Sequence, residues 1–214
     1  MDAINKLSPS VAIIDYGMGN LKSVERAFLE AGASVQLAET PSQACTASAL
    51  IFPGQGAIVD TMRRLKLAGW DGFIRDWISA DRPFFGICLG LQALFDFSEE
   101  GNTRGLGILE GTVRRFEAAQ DANIKIPHMG WNTAAFTGGT HLLNGIDPDS
   151  EYFYFVHSYY VIPEDPAIVW SKTAYGDTEF CSAIHRGNLV ATQFHPEKSQ
   201  KAGLQLYKNF ITTL

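Results

Sequence analysis

The sequence predicts an α/β protein built on a mixed, mainly parallel sheet, and two patterns lead to this prediction. In the first half of the chain, short apolar runs rich in Val, Ile and Phe alternate with amphipathic stretches, as in successive βαβ units. In the second half, aromatic and β-branched runs follow one another with short turns, which is typical of antiparallel strands. The length of 214 residues suits one α/β domain with a sizeable core.

Alternating strands and helices account for the first half of the chain. Leu21, Val24 and Phe28 recur at helical spacing and predict the first helix, which Gly32 ends as a C-terminal cap. The predicted strands are VAIIDY (11–16), SVQLAE (34–39), ALIFPG (49–54) and PFFGIC (83–88), and further helices are predicted at 57–80, with a break near Gly69, and at 89–97.

Turn and cap residues divide the second half of the chain. Gly187 and Asn188 predict a tight hairpin turn. Ser199 is placed to cap a C-terminal helix whose apolar positions fall at 204–210. The predicted strands are TVRRFEA (112–118), YFYFVHSYY (152–160), AIVWSKTAY (167–175), FCSAIHR (180–186) and LVATQFH (189–195).

Composition and charge exclude several classes of protein. Lys and Arg total 17 against 23 Asp and Glu, a formal charge of -6, with no basic cluster for nucleic acid or an anionic membrane. No apolar run reaches the roughly 20 residues of a membrane span. The opening MDAINKLSPS lacks a signal-peptide pattern, so we expect residues 1–10 to be a loose leader and 11–214 a single domain. Cys45, Cys88 and Cys181 are odd in number and widely spaced, which argues against a disulfide framework and favours the cytoplasm.

Cys88 lies between two glycines in GICLG (86–90), where a predicted strand turns into a predicted helix. A thiol attacks as its thiolate, and an ordinary cysteine, with a pKa of about 8.5, is only slightly ionised at neutral pH. A helix N-terminus would favour the anion, and the glycines would permit a tight turn like the G-x-S-x-G elbow. The backbone N–H of Leu89 would then point toward a developing oxyanion. A free cysteine packed in an apolar core fits the same features, so the turn alone leaves both interpretations open.

A second motif, TQFHPEKS (192–199), supplies the groups that a nucleophilic cysteine requires. A reactive thiolate needs a base, and the base needs an orienting group. His195 and Glu197 lie two residues apart at the end of a predicted strand, and Pro196 restricts the backbone between them. Glu197 could therefore hold one imidazole nitrogen while the other faces Cys88. The His-Pro-Glu triplet is weak evidence by itself and strong evidence in combination with the cysteine turn.

Together these motifs resemble the class I, triad-type glutamine amidotransferases. PFFGICLGLQALF (83–95) and ATQFHPEKS (191–199) carry the resemblance, which implies a flavodoxin-like three-layer fold and release of ammonia from L-glutamine. Within the family, DYGMGNLKSV, FPGQGA, KIPHMGWN and YFYFVHSYY resemble the glutaminase subunits that serve imidazole glycerol phosphate synthesis in histidine biosynthesis. The likeness extends over nearly the whole chain after about residue 10.

The resemblance implies a role for each residue that matches a family motif. Cys88 would attack the glutamine side-chain amide, His195 would protonate the departing ammonia and later activate water, and Glu197 would orient His195. The backbone N–H groups of Leu89 and Gln55 would form the oxyanion hole. Many relatives have Val in place of Gln55, which matters little if the backbone does the work. The residues implied to bind glutamine are Gly54, Gly56, Gln92, Glu100, Ser158 and Tyr159.

A partner protein is also implied by the resemblance. It would be a (β/α)8-barrel cyclase subunit that forms a heterodimer with this chain and uses the ammonia to make imidazole glycerol phosphate and aminoimidazole carboxamide ribotide. Asn20, Met129 and Trp131 are implied to lie at that interface. GMGN (17–20) lacks the third glycine of a dinucleotide fingerprint and the Lys-Ser/Thr of a P-loop. We therefore expect a structural turn there, and no cofactor or metal.

Three alternatives remain open at the level of the sequence. The chain could serve a different synthase, it could be a catalytically silent interaction subunit, or it could be a cysteine hydrolase acting on other acyl groups. His157, in the stretch VHSYY, is expected to be structural. His128, His141 and His185 show no pattern that distinguishes them from surface or turn residues.

Overall fold

One sheet of twelve strands dominates residues 8–117 and 124–214, the part of the chain that the computed structural model describes. Together with the two strands of a smaller sheet, the strands in chain order are β1 (Ser10–Ile14), β2 (Ser34–Ala38), β3 (Ala49–Gly54), β4 (Phe84–Cys88), β5 (Phe95–Ser98), β6 (Thr103–Arg104), β7 (Leu109–Arg115), β8 (His128–Thr133), β9 (Ala135–Phe136), β10 (Tyr152–His157), β11 (Tyr159–Pro163), β12 (Val169–Tyr175), β13 (Thr178–Arg186) and β14 (Leu189–Thr192). The helices are α1 (Leu21–Glu30), α2 (Pro41–Ala44), α3 (Ile58–Leu67), α4 (Trp70–Ser79), α5 (Leu89–Gln92) and α6 (Gln200–Ile211).

The large sheet is mixed, and its strands follow the order β2-β1-β3-β4-β14-β13-β11-β7-β5-β6. The first five strands in this order are mutually parallel, whereas β13 and β11 run antiparallel to their neighbours. β12 pairs with β13 and β9, and β8 and β10 form the separate antiparallel pair. The predicted α/β fold with a mixed, largely parallel sheet is confirmed.

An apolar cluster lies on each face of the sheet and holds the helices against it. On one face, the rings of Phe28 and Tyr207 stack with centroids 4.2 Å apart, and Phe85 meets both rings edge-on. On the other face, Trp70 and Trp77 of α4 are buried in the second cluster. Burial of such large rings is the main source of stabilisation between the layers.

The carboxyl ends of β3, β4 and β14 meet at one edge of the sheet, because these three strands are parallel neighbours. Gly54 pairs with Cys88 across β3 and β4, and Thr192 pairs with Ile87 across β14 and β4. His195 follows shortly after Thr192. In open α/β sheets this edge is where ligands bind.

The prediction of one helix over residues 89–97 is wrong. α5 is a single turn, and the chain then enters β5. The backbone N–H of Leu106 donates to the carbonyl of Ala93 (2.7 Å), and that of Ile108 donates to the carbonyl of Leu94 (2.9 Å). Since these carbonyls are taken by a distant segment, they cannot continue the helical hydrogen-bond ladder.

Ser199 does not cap α6 through its side chain, contrary to the prediction. Its hydroxyl donates to the carbonyl of His195 (2.6 Å) and accepts the backbone N–H of Tyr154 (3.0 Å). The side chain is therefore committed to the loop that carries His195. This contact ties β10 to the loop that joins β14 to α6.

Some predicted boundaries can be compared with the structure only in part. Residues 1–7 of the predicted leader lie outside the described residues, and Ser10 is already in β1. The predicted hairpin turn is present, with Gly187 at φ 57° between β13 and β14. Within residues 8–117 and 124–214, no helix has the length and apolar character needed to cross a membrane.

Candidate active site

A cavity of about 440 Å³ opens at the carboxyl edge of the sheet. This volume falls in the range of small-molecule sites. Most of the residues predicted for catalysis and glutamine binding face it, together with a few that were not predicted. The lining consists of Gly54, Gln55, Gly56, Cys88, Leu89, Gln92, Glu100, Pro127, Val156, His157, Ser158, Tyr159, His195 and Lys198.

Cys88 occupies a sharp turn between β4 and α5 with φ 53° and ψ −103°, a backbone conformation that residues other than glycine rarely adopt. Such backbone strain is concentrated at functional sites. A Cβ atom on Gly90 would overlap the carbonyl oxygen of Phe52, and one on Gly86 would lie 3.0 Å from the Cβ of Ala191. Packing against β3 therefore requires glycine at position 90, whereas at Gly86 a side chain would be tight against β14. Because α5 is a single turn, only its few free N–H groups, and no long helix dipole, can stabilise an anion here.

His195 and Glu197 form a buried pair beside Cys88. The Nδ1 of His195 lies 2.7 Å from the Oε1 of Glu197, and both side chains are only 3% exposed. A carboxylate only accepts, so Nδ1 carries the proton of this hydrogen bond. Apart from Cys88, with which His195 lines the cavity, the other ring nitrogen, Nε2, has no hydrogen-bond partner among the described residues. The second oxygen of Glu197 lies 3.5 Å from the hydroxyl of Tyr207.

The environment of His195 favours its charged form. Burial acts to lower the pKa of this imidazole, but the charge and hydrogen bond of Cys88 and the hydrogen bond and charge of Glu197 act in the opposite direction. The net effect raises the pKa of His195 from 6.5 to about 10. At neutral pH the imidazole of His195 is therefore protonated on both nitrogens, and it can give a proton to a leaving group in the cavity.

The backbone around Gln55 lines the cavity next to Leu89, against which Gly54 packs. The register pairs Gly54 with Cys88, and Gly56 has φ 93°, which favours glycine. The side chain of Gln55 turns toward the GMGN turn, where its Oε1 accepts the backbone N–H of Asn20 (3.1 Å). The segment predicted to supply an oxyanion donor is thus tied to Asn20 through the Gln55 side chain.

Gln92 and Glu100 reach the cavity with defined hydrogen-bonding capacity. The Nε2 of Gln92 donates to the carbonyl of Tyr159 (2.9 Å) and to the Oε1 of Gln193 (3.1 Å). Both of its amide hydrogens are used, so the side chain can only accept from a ligand. The Oε2 of Glu100 accepts the backbone N–H of Ile58 (3.1 Å), which holds a carboxylate on the cavity wall.

Two buried residues near the cavity were not predicted. Gln193 is fully buried, and its Nε2 donates to the Sγ of Cys88 at 3.5 Å. The alternation of side chains along a strand could have indicated that Gln193 lies near Cys88, because Gln193 and His195 are two residues apart and share one side of the chain. His128 is buried, not at the surface as its unremarkable sequence context suggested, and it stacks on Phe155. No local pattern could have indicated that burial.

Met129 and Trp131 lie on β8 with 62% and 45% of their surface exposed. Tyr152 on the paired strand β10 is 56% exposed. β10 also contacts the loop that carries His195, since the backbone N–H of His195 donates to the carbonyl of Tyr154 (2.9 Å). An exposed apolar patch of this kind is a common feature of protein interfaces.

Comparison with known proteins decides the family. The sequence profile described as glutamine amidotransferase class-I matches residues 12–214. The chain is 49% identical over 209 residues to "Imidazole glycerol phosphate synthase subunit HisH" of Aromatoleum aromaticum, covering 94% of this chain and 97% of that protein. It is 47% identical over 204 residues to the protein of the same name from Syntrophotalea carbinolica, covering 94% and 98%. The chain belongs to the class I glutamine amidotransferases and, within them, to the HisH subunits.

Solved structures share the fold of this amidotransferase. A protein described as "Structure of PurLQS from Thermotoga maritima" superposes with a TM-score of 0.74 at 16% identity, covering 97% of this chain and 99% of that one. A second, "Crystal structure of glutamine amidotransferase", superposes with a TM-score of 0.73 at 18% identity, covering 95% of this chain and 99% of that one.

Among the residues that the structure describes, no group of three or more His, Cys, Asp or Glu side chains is arranged to hold a metal ion.

Proposed function

We propose that the chain hydrolyses L-glutamine to glutamate and ammonia through Cys88, His195 and Glu197, and delivers the ammonia to a cyclase subunit in histidine biosynthesis. The observation that carries the proposal is the buried pair of His195 and Glu197, 2.7 Å apart, whose histidine lines the same cavity as Cys88. A catalytically silent subunit would have no need of a strained cysteine turn beside an oriented imidazole.

In the first half of the reaction Cys88 attacks as its thiolate, and the protonated imidazole of His195 supplies the proton. The sulfur of Cys88 attacks the side-chain carbonyl carbon of glutamine, and the new C–S bond creates an oxyanion. The backbone N–H groups of Leu89 and Gln55 stabilise that charge. His195 transfers its Nε2 proton to the amide nitrogen, the C–N bond breaks, and ammonia leaves behind a glutamyl thioester.

The second half depends on a change in the basicity of His195. Once the sulfur is acylated, its negative charge and its hydrogen bond no longer raise the pKa of the imidazole, while burial continues to lower it. The neutral imidazole can then take a proton from water, and the resulting hydroxide attacks the thioester. Breaking the C–S bond releases glutamate and restores the thiolate beside the imidazolium, while Glu197 holds the ring in one orientation throughout.

Charged and polar groups in the cavity fit a free amino acid. Glu100 places a carboxylate on the wall, and Gln92 has only its Oε1 left to accept, so both suit the ammonium of the substrate. Lys198 lines the same cavity and supplies a positive charge for the substrate carboxylate. Backbone groups line the remaining walls of the cavity, at Gly54, Gly56, Ser158 and Tyr159.

The proposed partner is a (β/α)8-barrel cyclase subunit that binds this chain as a heterodimer. The names of the relatives describe a subunit of imidazole glycerol phosphate synthase, which supports a second subunit that carries out the synthase reaction. The exposed side chains of Met129 and Trp131, beside the strand that touches the His195 loop, support an interface there, with Asn20 near its boundary. Free cysteine chemistry of this kind suits the reducing cytoplasm.

The decisive test compares two nitrogen sources in the assembled synthase. Cys88→Ala should abolish glutamine-dependent synthesis while added ammonium still supports it, because only the supply of ammonia is lost. Cys45→Ala, at an exposed cysteine away from the cavity, is the matched control and should keep both activities. Glutamine-dependent synthesis that survives in Cys88→Ala would overturn the proposal.

The interface is tested separately. Trp131→Ala should weaken binding of the cyclase or uncouple glutamine use from synthesis without unfolding the chain, since the side chain is half exposed. Leu67→Ala changes another exposed apolar side chain, on α3, and should leave binding unchanged. Equal binding and equal coupling in the two variants would contradict an interface at Trp131.

A further inference from the structure

A chain of buried hydrogen bonds converges on the carbonyl oxygen of Tyr159 and leads from there to the nucleophile. This oxygen accepts from the Nε2 of Gln92 (2.9 Å) and lies 2.7 Å from the Nδ1 of His157. Gln92 also donates to the Oε1 of Gln193, whose Nε2 donates to the Sγ of Cys88 at 3.5 Å. Each side chain in this series is almost completely buried except Cys88, which opens to the cavity.

The orientation of each amide in this series follows from one fixed acceptor. A backbone carbonyl can only accept, so Gln92 must turn its NH2 group toward Tyr159. That NH2 group also faces Gln193, which must therefore present its oxygen to Gln92. The NH2 group of Gln193 is then left on the side of Cys88. Reversing the Gln193 amide would place two NH2 groups against each other and an oxygen against the thiolate.

A pair of histidines fixes the same carbonyl from its other side. The Nδ1 of His157 must carry a proton to donate to Tyr159, so its Nε2 accepts from the Nδ1 of His128, 3.1 Å away. The Nε2 of His128 in turn accepts from Asn132 at 3.3 Å. This pattern requires both rings to be neutral, and burial supports it by lowering the pKa of His157 to about 3 and that of His128 to about 4.

We infer that Gln193 is a positioning residue that donates an N–H to the sulfur of Cys88 and holds the thiolate in place for attack. The inference rests on the proposed function, because it assigns Gln193 a role in preparing that nucleophile. A donor whose direction is set by Gln92 and Tyr159 stabilises the anion and restricts the rotamer of a cysteine on a strained turn. Gln193 makes this contact from behind the cavity wall, since it is fully buried and does not line the cavity.

Two substitutions at Gln193 separate the donor from the volume of the side chain. Gln193→Met keeps similar length without any N–H, and we expect kcat for glutamine in the assembled synthase to fall about tenfold with KM within twofold. Alkylation of Cys88 by iodoacetamide should move to higher pH, by about one unit for a tenfold effect. Ser171→Ala, which removes a buried 2.8 Å contact with Ser182, is the control for an ordinary lost hydrogen bond and should change neither quantity.

Gln193→Glu adds a readout that a purely structural role would not give. The introduced carboxyl can donate to sulfur only when it is protonated, so kcat relative to wild type should rise as pH falls. If Gln193→Met is destabilised far more than Ser171→Ala, the pH dependence of Gln193→Glu decides whether Gln193 donates to the sulfur of Cys88.

Three results would overturn the inference: unchanged kcat and alkylation in folded Gln193→Met, an effect confined to KM, or a constant activity ratio across pH in Gln193→Glu. Failure of the proposed function would be seen separately, as glutamine use that survives in Cys88→Ala. The alkylation profile would still report whether Gln193 acts on the sulfur.

Discussion

The buried pair His128 and His157 should make the protein lose stability as pH falls below neutrality. Burial lowers the pKa of His128 to about 4 and that of His157 to about 3, against 6.5 for an ordinary histidine. Between pH 6.5 and about 4 the unfolded chain therefore binds two protons that the native state does not bind. The stability associated with the neutral pair is complete above pH 6.5 and is lost as pH decreases.

The size of the effect follows from proton linkage. Each histidine contributes at most about 1.4 kcal/mol per pH unit, so the pair should lower the free energy of unfolding by about 2.5 kcal/mol between pH 6 and pH 5. His195 contributes almost nothing in this window, because its raised pKa keeps it protonated when folded and it is mostly protonated when unfolded. His185, whose pKa is also lowered by burial, adds to the loss in the same direction.

The assay is urea unfolding at pH 6 and pH 5, followed by tryptophan fluorescence. His128→Phe keeps an aromatic ring against Phe155 and removes one titrating group, so the part of the loss caused by the pair should be about halved. An equal loss between the two pH values in wild type and His128→Phe would show that the histidine pair does not cause the pH dependence.

Two further predictions concern the turn and the triad. Gly90→Ala should destabilise the fold by roughly 1–3 kcal/mol, because the new methyl group meets the Phe52 carbonyl. The same variant should lower glutamine-dependent activity. An unchanged thermal midpoint of unfolding would contradict the close contact between residue 90 and Phe52. Glu197→Gln keeps an acceptor for the ring but removes a charge, so the pKa of His195 should fall and kcat should drop about ten- to a hundredfold. NMR titration of the imidazole and steady-state kinetics check this, and a pKa that stays near its wild-type value would count against Glu197 as a cause of the shift.

The sequence was informative where structure depends on local pattern. Alternating apolar and amphipathic stretches predicted the parallel half of the sheet, because neighbouring βα units place their strands side by side. The same alternation could not show that residues 95–98 form a strand, since the acceptors at Ala93 and Leu94 are taken by N–H groups of a distant segment. The Ser199 hydroxyl was likewise predicted to cap a helix, but it accepts the backbone N–H of Tyr154, which only the tertiary structure brings near.

The site predictions differ in how much of each one local pattern could indicate, for a similar reason. Residue type and spacing indicated Cys88, His195 and Glu197, since the chemistry of a thiolate nucleophile demands a base and an orienting acid. Gln193 could have been noticed from its two-residue spacing to His195, but its direction depends on the carbonyl of Tyr159. Burial of His128 depends on rings contributed by other strands, so no local pattern contains it.

The covalent intermediate on Cys88 is the most direct test of the central claim. The assembled synthase is mixed with glutamine, quenched in acid during turnover, and analysed by peptide mass spectrometry. We expect a glutamyl group on the peptide that contains Cys88, and no such group on that peptide in Cys88→Ser. A glutamyl group on another residue, or steady glutamine hydrolysis by Cys88→Ser, would contradict the assignment of Cys88 as the nucleophile.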